Sequence, residues 1–273
     1  EVNSQPENPL STLVRDQQIA IIPSYTLESG HTLTQIPISY KTWGTLNEAG
    51  DNVMVICHAL TGSADVEDWW GPLLGPKKAF DTENFFIFCA NVLGSPYGSA
   101  SPLTNNPESG KPYWNEFPDT SIRDDVRLHR LVLEDLGAKQ VAICIGGSLG
   151  GMQVLEWAMF GSEFVKNVVP IATSGKHSAW GISWGEAQRQ SIYSDPNYCG
   201  GKYTFDKPPN SGLAAARMSA LLTYRSRNSF ESRFGRNKQT KKNNQTPPSE
   251  DPQPTSNSLF SAQSYLRYQG DKF

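Results

Sequence analysis

Four short, unbroken apolar runs punctuate the chain, at 53–58, 85–90, 141–145 and 168–172. Runs of this kind, rich in β-branched residues and lacking polar alternation, predict strands buried on both faces of a parallel sheet. Upstream, QIAIIP and LTQIPISYKTW are β-rich and close enough together to predict a hairpin or meander. Between the buried runs the period becomes helical. Thr120-Ser121 opens IRDDVRLHRLVLEDLG, where Ile122, Val126, Leu133 and Leu136 fall near helical spacing and Gly137 supplies the stop. A second helix is predicted to start just after Ser148 and to carry MQVLEWAMF. This alternation of strand and helix predicts an α/β architecture with right-handed crossovers.

After Ser174 the strand pattern stops. Residues 177–194 and 212–234 read as helices rich in Trp, Ala, Arg and Ser. Residues 235–258 hold no hydrophobic residue other than Pro, too little to offset the entropy of ordering, and predict a disordered insertion. Its basic cluster, Lys238, Lys241 and Lys242, reads as part of a solvated linker. The opening residues 1–15 read as a polar arm. The expected division is therefore 1–174, a sheet-bearing core, and 175–273, a helical part carrying the insertion.

Composition narrows the partners. The 273 residues have a net charge of −3, which lacks the basic surplus of a nucleic-acid footprint. No apolar run approaches the roughly 20 residues needed to span a bilayer, and no basic segment followed by an apolar stretch opens the chain. No membrane partner is expected, and a cytoplasmic location is. Cys57, Cys89, Cys144 and Cys199 are far apart; the first three lie in apolar runs and read as buried hydrophobes, with no metal site expected.

The chemistry centres on VAICI-GGSLGG-MQVLEWAMF, where Gly146-x-Ser148-x-Gly150 lies between a buried strand and a helix. In that context G-x-S-x-G is a nucleophile elbow. A strand reversing sharply into a helix strains its central residue, and glycines at 146, 147, 150 and 151 are expected to remove collisions around it. Ser148 is the expected catalytic nucleophile, with the Leu149 amide facing a developing oxyanion. Neither the P-loop pattern nor the dinucleotide G-x-G-x-x-G fits here. A second oxyanion donor normally follows an earlier central strand, and the loop HALTGSADVEDWWGP makes the Leu60 amide the candidate. His58 in this loop reads as a structural hydrogen-bonder rather than a base. A triad on such a sheet runs Ser, then Asp or Glu, then His; after Ser148 the only histidine is His177, with no acidic strand end between.

Several longer motifs resemble the homoserine O-acetyltransferase family: HALTGSADV at 58–66, WWGP at 69–72, N-x-LGSPYGS at 91–99 and RDDVR at 123–127. GGSLGGM at 146–152, HSAW at 177–180, EAQRQSIYSDPNY at 186–198 and ARMSALLTYRS at 216–226 extend the resemblance over nearly the whole chain, and the polar insertion looks like that of fungal members. The resemblance implies an α/β-hydrolase fold, a mostly parallel sheet flanked by helices, with a helical lid over 175–273. It implies acetyl transfer from acetyl-CoA, as co-substrate with no bound cofactor, to the L-homoserine hydroxyl through acyl-Ser148, early in methionine biosynthesis. Arg217 and Tyr224 match lid residues that hold the amino-acid substrate, and an Arg fork suits a carboxylate. The family's Asp and His, with about two strands and a final helix, are expected beyond Phe273. A homodimer and/or a C-terminal polypeptide carrying that Asp and His are the expected partners, with the small-molecule substrates, and this chain alone is expected to be inactive. Transfer to serine or deacetylcephalosporin C, ester hydrolysis, and a non-catalytic fragment are the alternatives.

Overall fold

The computed structural model describes residues 5–238 and 259–272. The chain falls into two compact units, Glu1–Lys176 and His177–Phe273. In the first, β1 (Gln18–Thr26) and β2 (Thr32–Trp43) form an antiparallel hairpin. There follow β3 (Val53–Cys57), α1 (Val66–Trp70), β4 (Phe86–Ala90), α2 (Ile122–Asp135), β5 (Val141–Gly147), α3 (Leu149–Ala158) and β6 (Val168–Ile171). The six strands are ordered β1-β2-β4-β3-β5-β6. β4, β3, β5 and β6 run parallel to one another, and β2 joins β4 antiparallel.

The unbroken apolar runs follow from this position. Every residue of β3 and β4 is buried. Successive side chains point to opposite faces, so Val53, Val55, Cys57, Phe86 and Phe88 join Leu128, Val132, Val154 and Trp157 of α2 and α3 on one side. Met54, Ile56, Ile87 and Cys89 meet Val66, Leu74 and Phe80 on the other. Each such side chain contributes about 1.5–3 kcal/mol by leaving water. Cys57, Cys89 and Cys144 are buried free thiols, and burial pushes Cys89 and Cys144 well above the usual thiol range.

In the run at 168–172, Val168 and Val169 are each 40% exposed and Ile171 42%; β6 lies at one edge of the described sheet, and about two further strands are expected beyond Phe273. The opening arm differs from expectation. Asn8 Nδ2 donates to the Pro96 carbonyl at 2.8 Å and Gln5 Nε2 to that of Gly98 at 2.6 Å, so the arm's amide side chains dock it on the 96–98 loop. α2 is closed at both ends as its sequence predicts. Ser121 and Asp124 form a reciprocal capping box. At the other end Gly137, with φ +95°, lets its own N–H reach the Glu134 carbonyl and that of Ala138 reach Leu133.

The second unit is helical: α4 (Ala179–Tyr193), α5 (Asn210–Thr223), α6 (Arg227–Phe234) and α7 (Ser261–Gly270). Asp195 ties α4 to α5, its carboxylate accepting from Gly212 N at 2.7 Å and Asn197 N at 2.9 Å. The helical stretch expected over 212–234 breaks where Ser226 caps α6 by accepting from Ser229 N. Phe230, Phe234 and Tyr265 pack α6 on α7. Of the stretch expected to be disordered, Lys238 pairs antiparallel with Phe260, while 239–258 lie outside the described residues. Among the described residues no helix is long and apolar enough to cross a membrane.

Candidate active site

Ser148 sits between the end of β5 and the start of α3 with φ +56° and ψ −119°. This left-handed-side conformation is costly for any residue with a Cβ, at about 1–3 kcal/mol, and persists only where the surroundings over-determine it. They do so here. Ser148 N donates to the Ile171 carbonyl at 3.0 Å, and its own carbonyl accepts from Met152 N at 3.1 Å and Thr173 Oγ1 at 2.8 Å.

The surrounding glycines are not equivalent. A Cβ on Gly150 would collide with the Cys57 carbonyl oxygen and lie 2.8 Å from its carbon and 3.0 Å from the His58 oxygen. One on Gly146 would lie 2.6 Å from the Gly150 backbone, and one on Gly151 2.6 Å from Thr173. These glycines let α3 start directly against the end of β3. Gly147 differs from expectation: a Cβ there would meet nothing nearer than the Ile171 oxygen at 3.9 Å, and its φ is not positive. Its side of the turn is open, so packing does not require glycine.

The loop leaving β3 lies at the same end of the adjacent strand, Cys57 being in register with Gly146. Residues 59–62 close a turn through Gly62 N to the Ala59 carbonyl at 2.9 Å, carrying Leu60 at its exposed corner. Among the described residues neither the Leu60 nor the Leu149 N–H donates to a protein acceptor. Leu149 opens α3, where the first amides lack intrahelical partners and point out of the helix with its positive dipole end. Ser148, Leu149 and Leu60 are thus gathered at the ends of β5 and β3.

Beneath the turn lies a buried polar group in which His58 is the structural hydrogen-bonder expected from the sequence, while Gln153, His129 and Asp125 were not singled out. His58 Nδ1 lies 2.8 Å from the Ala59 carbonyl and its Nε2 accepts from Val92 N at 3.3 Å. Gln153 Nε2 donates to the His58 carbonyl at 3.3 Å. From α2, His129 Nε2 donates to the Asn91 carbonyl at 3.1 Å, and Asp125 accepts from Leu93 N at 2.8 Å. Burial holds both histidines below the usual imidazole range, His129 down to about 3. The available signal was phase: Asp125 and His129 stand four apart on the same buried stripe of α2 as Val132.

Burial, aided by the neighbouring Asp124 charge, raises the Asp125 carboxyl to about 8 despite the opposing Leu93 hydrogen bond. A carboxyl raised in the folded state stabilises fully below its unfolded value and loses that contribution as pH rises through about 8. The lowered His129 acts oppositely, costing stability only as pH falls below about 6.5 toward 3. Asp125→Asn keeps an acceptor for Leu93 N and removes the charge. It should flatten the stability profile between pH 6.5 and 8 and gain on the order of a few kcal/mol at pH 8. Urea unfolding across that range measures it, and an Asn variant less stable than the parent at pH 8 would show the carboxylate to be ionised.

The remaining sequence candidates lie in the second unit. Arg217 is within α5, and Tyr224 caps its C-terminus with 75% of its surface exposed. His177 is exposed just before α4, its ring against Gly181. No described hydrogen bond involves Ser148 Oγ, and among the described residues no group of three or more His, Cys, Asp or Glu is placed to hold a metal.

Residues 52–273 match the family model described as alpha/beta hydrolase fold. Over its full length the chain is 54% identical to homoserine O-acetyltransferase of Emericella nidulans, covering 69% of that protein. Over 84% of its length it is 65% identical to the Saccharomyces cerevisiae homoserine O-acetyltransferase, covering 47% of that protein. Among solved structures, homoserine O-acetyltransferase from Bacillus anthracis superposes with TM-score 0.77 at 26% identity, over 94% of this chain and 70% of that one. Esterase E22 gives 0.76 at 28%, over 94% and 72%. A strained serine between strand and helix and these likenesses converge: the chain belongs to the α/β-hydrolase-fold family, within its homoserine O-acetyltransferase group.

Proposed function

We propose that this chain carries the nucleophile and oxyanion hole of a homoserine O-acetyltransferase working by a two-step, acyl-serine route. The observation that carries the reading is Ser148, held at φ +56° where strand becomes helix, with the Leu149 N–H next in the chain and the Leu60 N–H on the loop after the adjacent strand, neither with a protein acceptor. Ser148 Oγ attacks the acetyl-CoA thioester carbon; the carbonyl oxygen takes up negative charge against the Leu60 and Leu149 amides. The C–S bond then breaks and coenzyme A leaves as the thiol. The L-homoserine hydroxyl next attacks the acyl-serine carbon, releasing O-acetylhomoserine and restoring Ser148. Each oxyanion donor contributes about 2.7–4 kcal/mol to such a step. Arg217 and Tyr224 hold the homoserine in this reading, the guanidinium on its carboxylate. Acetyl-CoA is a co-substrate and no resident cofactor or metal takes part.

A serine hydroxyl needs a general base. His58 and His129 are buried, His58 bonded through both ring nitrogens and His129 through Nε2, and burial holds both below the usual imidazole range, which disqualifies both. The base and its carboxylate are proposed to come from outside these 273 residues, on a C-terminal segment or a second polypeptide, in a homodimeric cytoplasmic enzyme.

The complete protein, mixed with acetyl-CoA and quenched, should show one acetyl group on the peptide holding Ser148 and a burst of free thiol. L-homoserine should discharge it as O-acetylhomoserine, with L-serine as the competing acceptor. Esterase E22 supports a second reading, which discharge to water without any acceptor would favour. A lysine adduct, or none, would sink the covalent route.

A further inference from the structure

We propose that His58, locked as its neutral Nδ1–H tautomer between the Ala59 carbonyl and the Val92 N–H, is the positioning residue that aims the Leu60 amide into the oxyanion hole. The inference rests on the function proposed above and adds to it a residue that makes no contact with substrate.

The tautomer follows from the partners. A carbonyl only accepts, so the Nδ1 atom 2.8 Å from the Ala59 oxygen bears the proton; a backbone N–H only donates, so Nε2 presents its lone pair to Val92. A second proton on the ring would break the Val92 bond, and full burial, which lowers the ring's proton affinity, keeps it off. The Ala59 carbonyl then has two donors, His58 Nδ1 and Gly62 N. That oxygen belongs to the same peptide group as the Leu60 N–H, and a trans peptide fixes the two in opposite directions. Holding the oxygen inward therefore points the amide outward. The peptide plane can rotate only by breaking a buried imidazole bond. The imidazole itself is braced from three sides. Val92 stands between the Asn91 carbonyl held by His129 and the Leu93 amide held by Asp125, while Gln153 of α3 holds the His58 carbonyl. Helix α3, which begins with the other oxyanion donor, thus also grips the residue that orients the first.

Two variants of the complete enzyme divide the role. His58→Asn keeps a donor at the δ position for Ala59 and loses the acceptor for Val92; His58→Gln places its amide at the ε position and loses the Ala59 bond. Each drops one buried hydrogen bond, so their melting temperatures should fall by similar amounts. The acyl-transfer burst rate, normalised to burst amplitude, should fall about 10²–10³-fold in the Gln variant, the loss expected for a displaced oxyanion donor. It should stay within roughly tenfold of the parent in the Asn variant, with KM for acetyl-CoA nearly unchanged in both. Burst rates that follow melting temperature, a Gln variant at the parental rate, or one that cannot be purified folded would overturn the proposal. Failure of the underlying function looks different: the parent enzyme itself would give no burst.

Discussion

Ser148→Ala should lower turnover by roughly four to six orders of magnitude while leaving the melting temperature close to the parent's. The alanine removes the attacking oxygen but keeps the Cβ and therefore the strained backbone. Ser148→Gly should be equally inactive and more stable. Glycine adopts φ +56°, ψ −119° without the clash a Cβ suffers, which releases about 1–3 kcal/mol, less about 0.5–1 kcal/mol for its greater freedom when unfolded. The expected order of unfolding midpoints is Gly above Ala and parent, read by urea titration alongside coenzyme A release. Substantial turnover in Ser148→Ala would remove the serine from the mechanism. A Gly variant no more stable than the Ala variant would show that the elbow holds no strain.

Gly150→Ala should be among the most damaging single changes in the first unit. The added methyl would overlap the Cys57 carbonyl and crowd that of His58, both backbone atoms at the end of a fully buried strand. Neither can retreat: β3 is paired on both sides, and the His58 carbonyl is held by Gln153. Overpacking of this kind, with nothing flexible to yield, is expected to cost more than about 3 kcal/mol. It should also abolish the acetyl burst by moving α3 away from the Leu60 turn. Gly147→Ala is the internal control and should change stability by less than about 1 kcal/mol, since its methyl would enter open space. Equal melting temperatures for the two variants would refute the close-approach account.

What was legible in the sequence was local or periodic. The elbow could be read because Gly146, Ser148 and Gly150 are contiguous and flanked by an apolar run and a helical pattern. Both ends of α2 could be read because Ser121 and Gly137 act within one turn of themselves. The docking of Asn8 and Gln5 could not, since their partners are distant carbonyls without side-chain identity. Gly147 was misjudged by analogy with its neighbours; only the direction of each Cα–Cβ vector separates them. Of the buried group around His58 the sequence showed only His58 itself, as a structural hydrogen-bonder, because the partners of the group are backbone groups after β4 that carry no side-chain identity.

The hydrogen bonds that brace the Leu60 turn join residues far apart along the chain. Gln153 reaches back 95 residues to His58, and Asp125 reaches 32 to Leu93. During synthesis from the N-terminus, β3 and its loop emerge long before α3 exists to grip them. Contacts of such sequence separation carry a loop-closure cost that must be met before they stabilise anything, and they slow folding. The Gln153 brace should therefore set last, after β5 has paired beside β3 and the elbow has reversed the chain into α3. The Val92 and Leu93 amides, whose acceptors His58 and Asp125 precede β5, should gain protection from exchange once α2 has docked, so the turn should be half held before the helix that completes it exists.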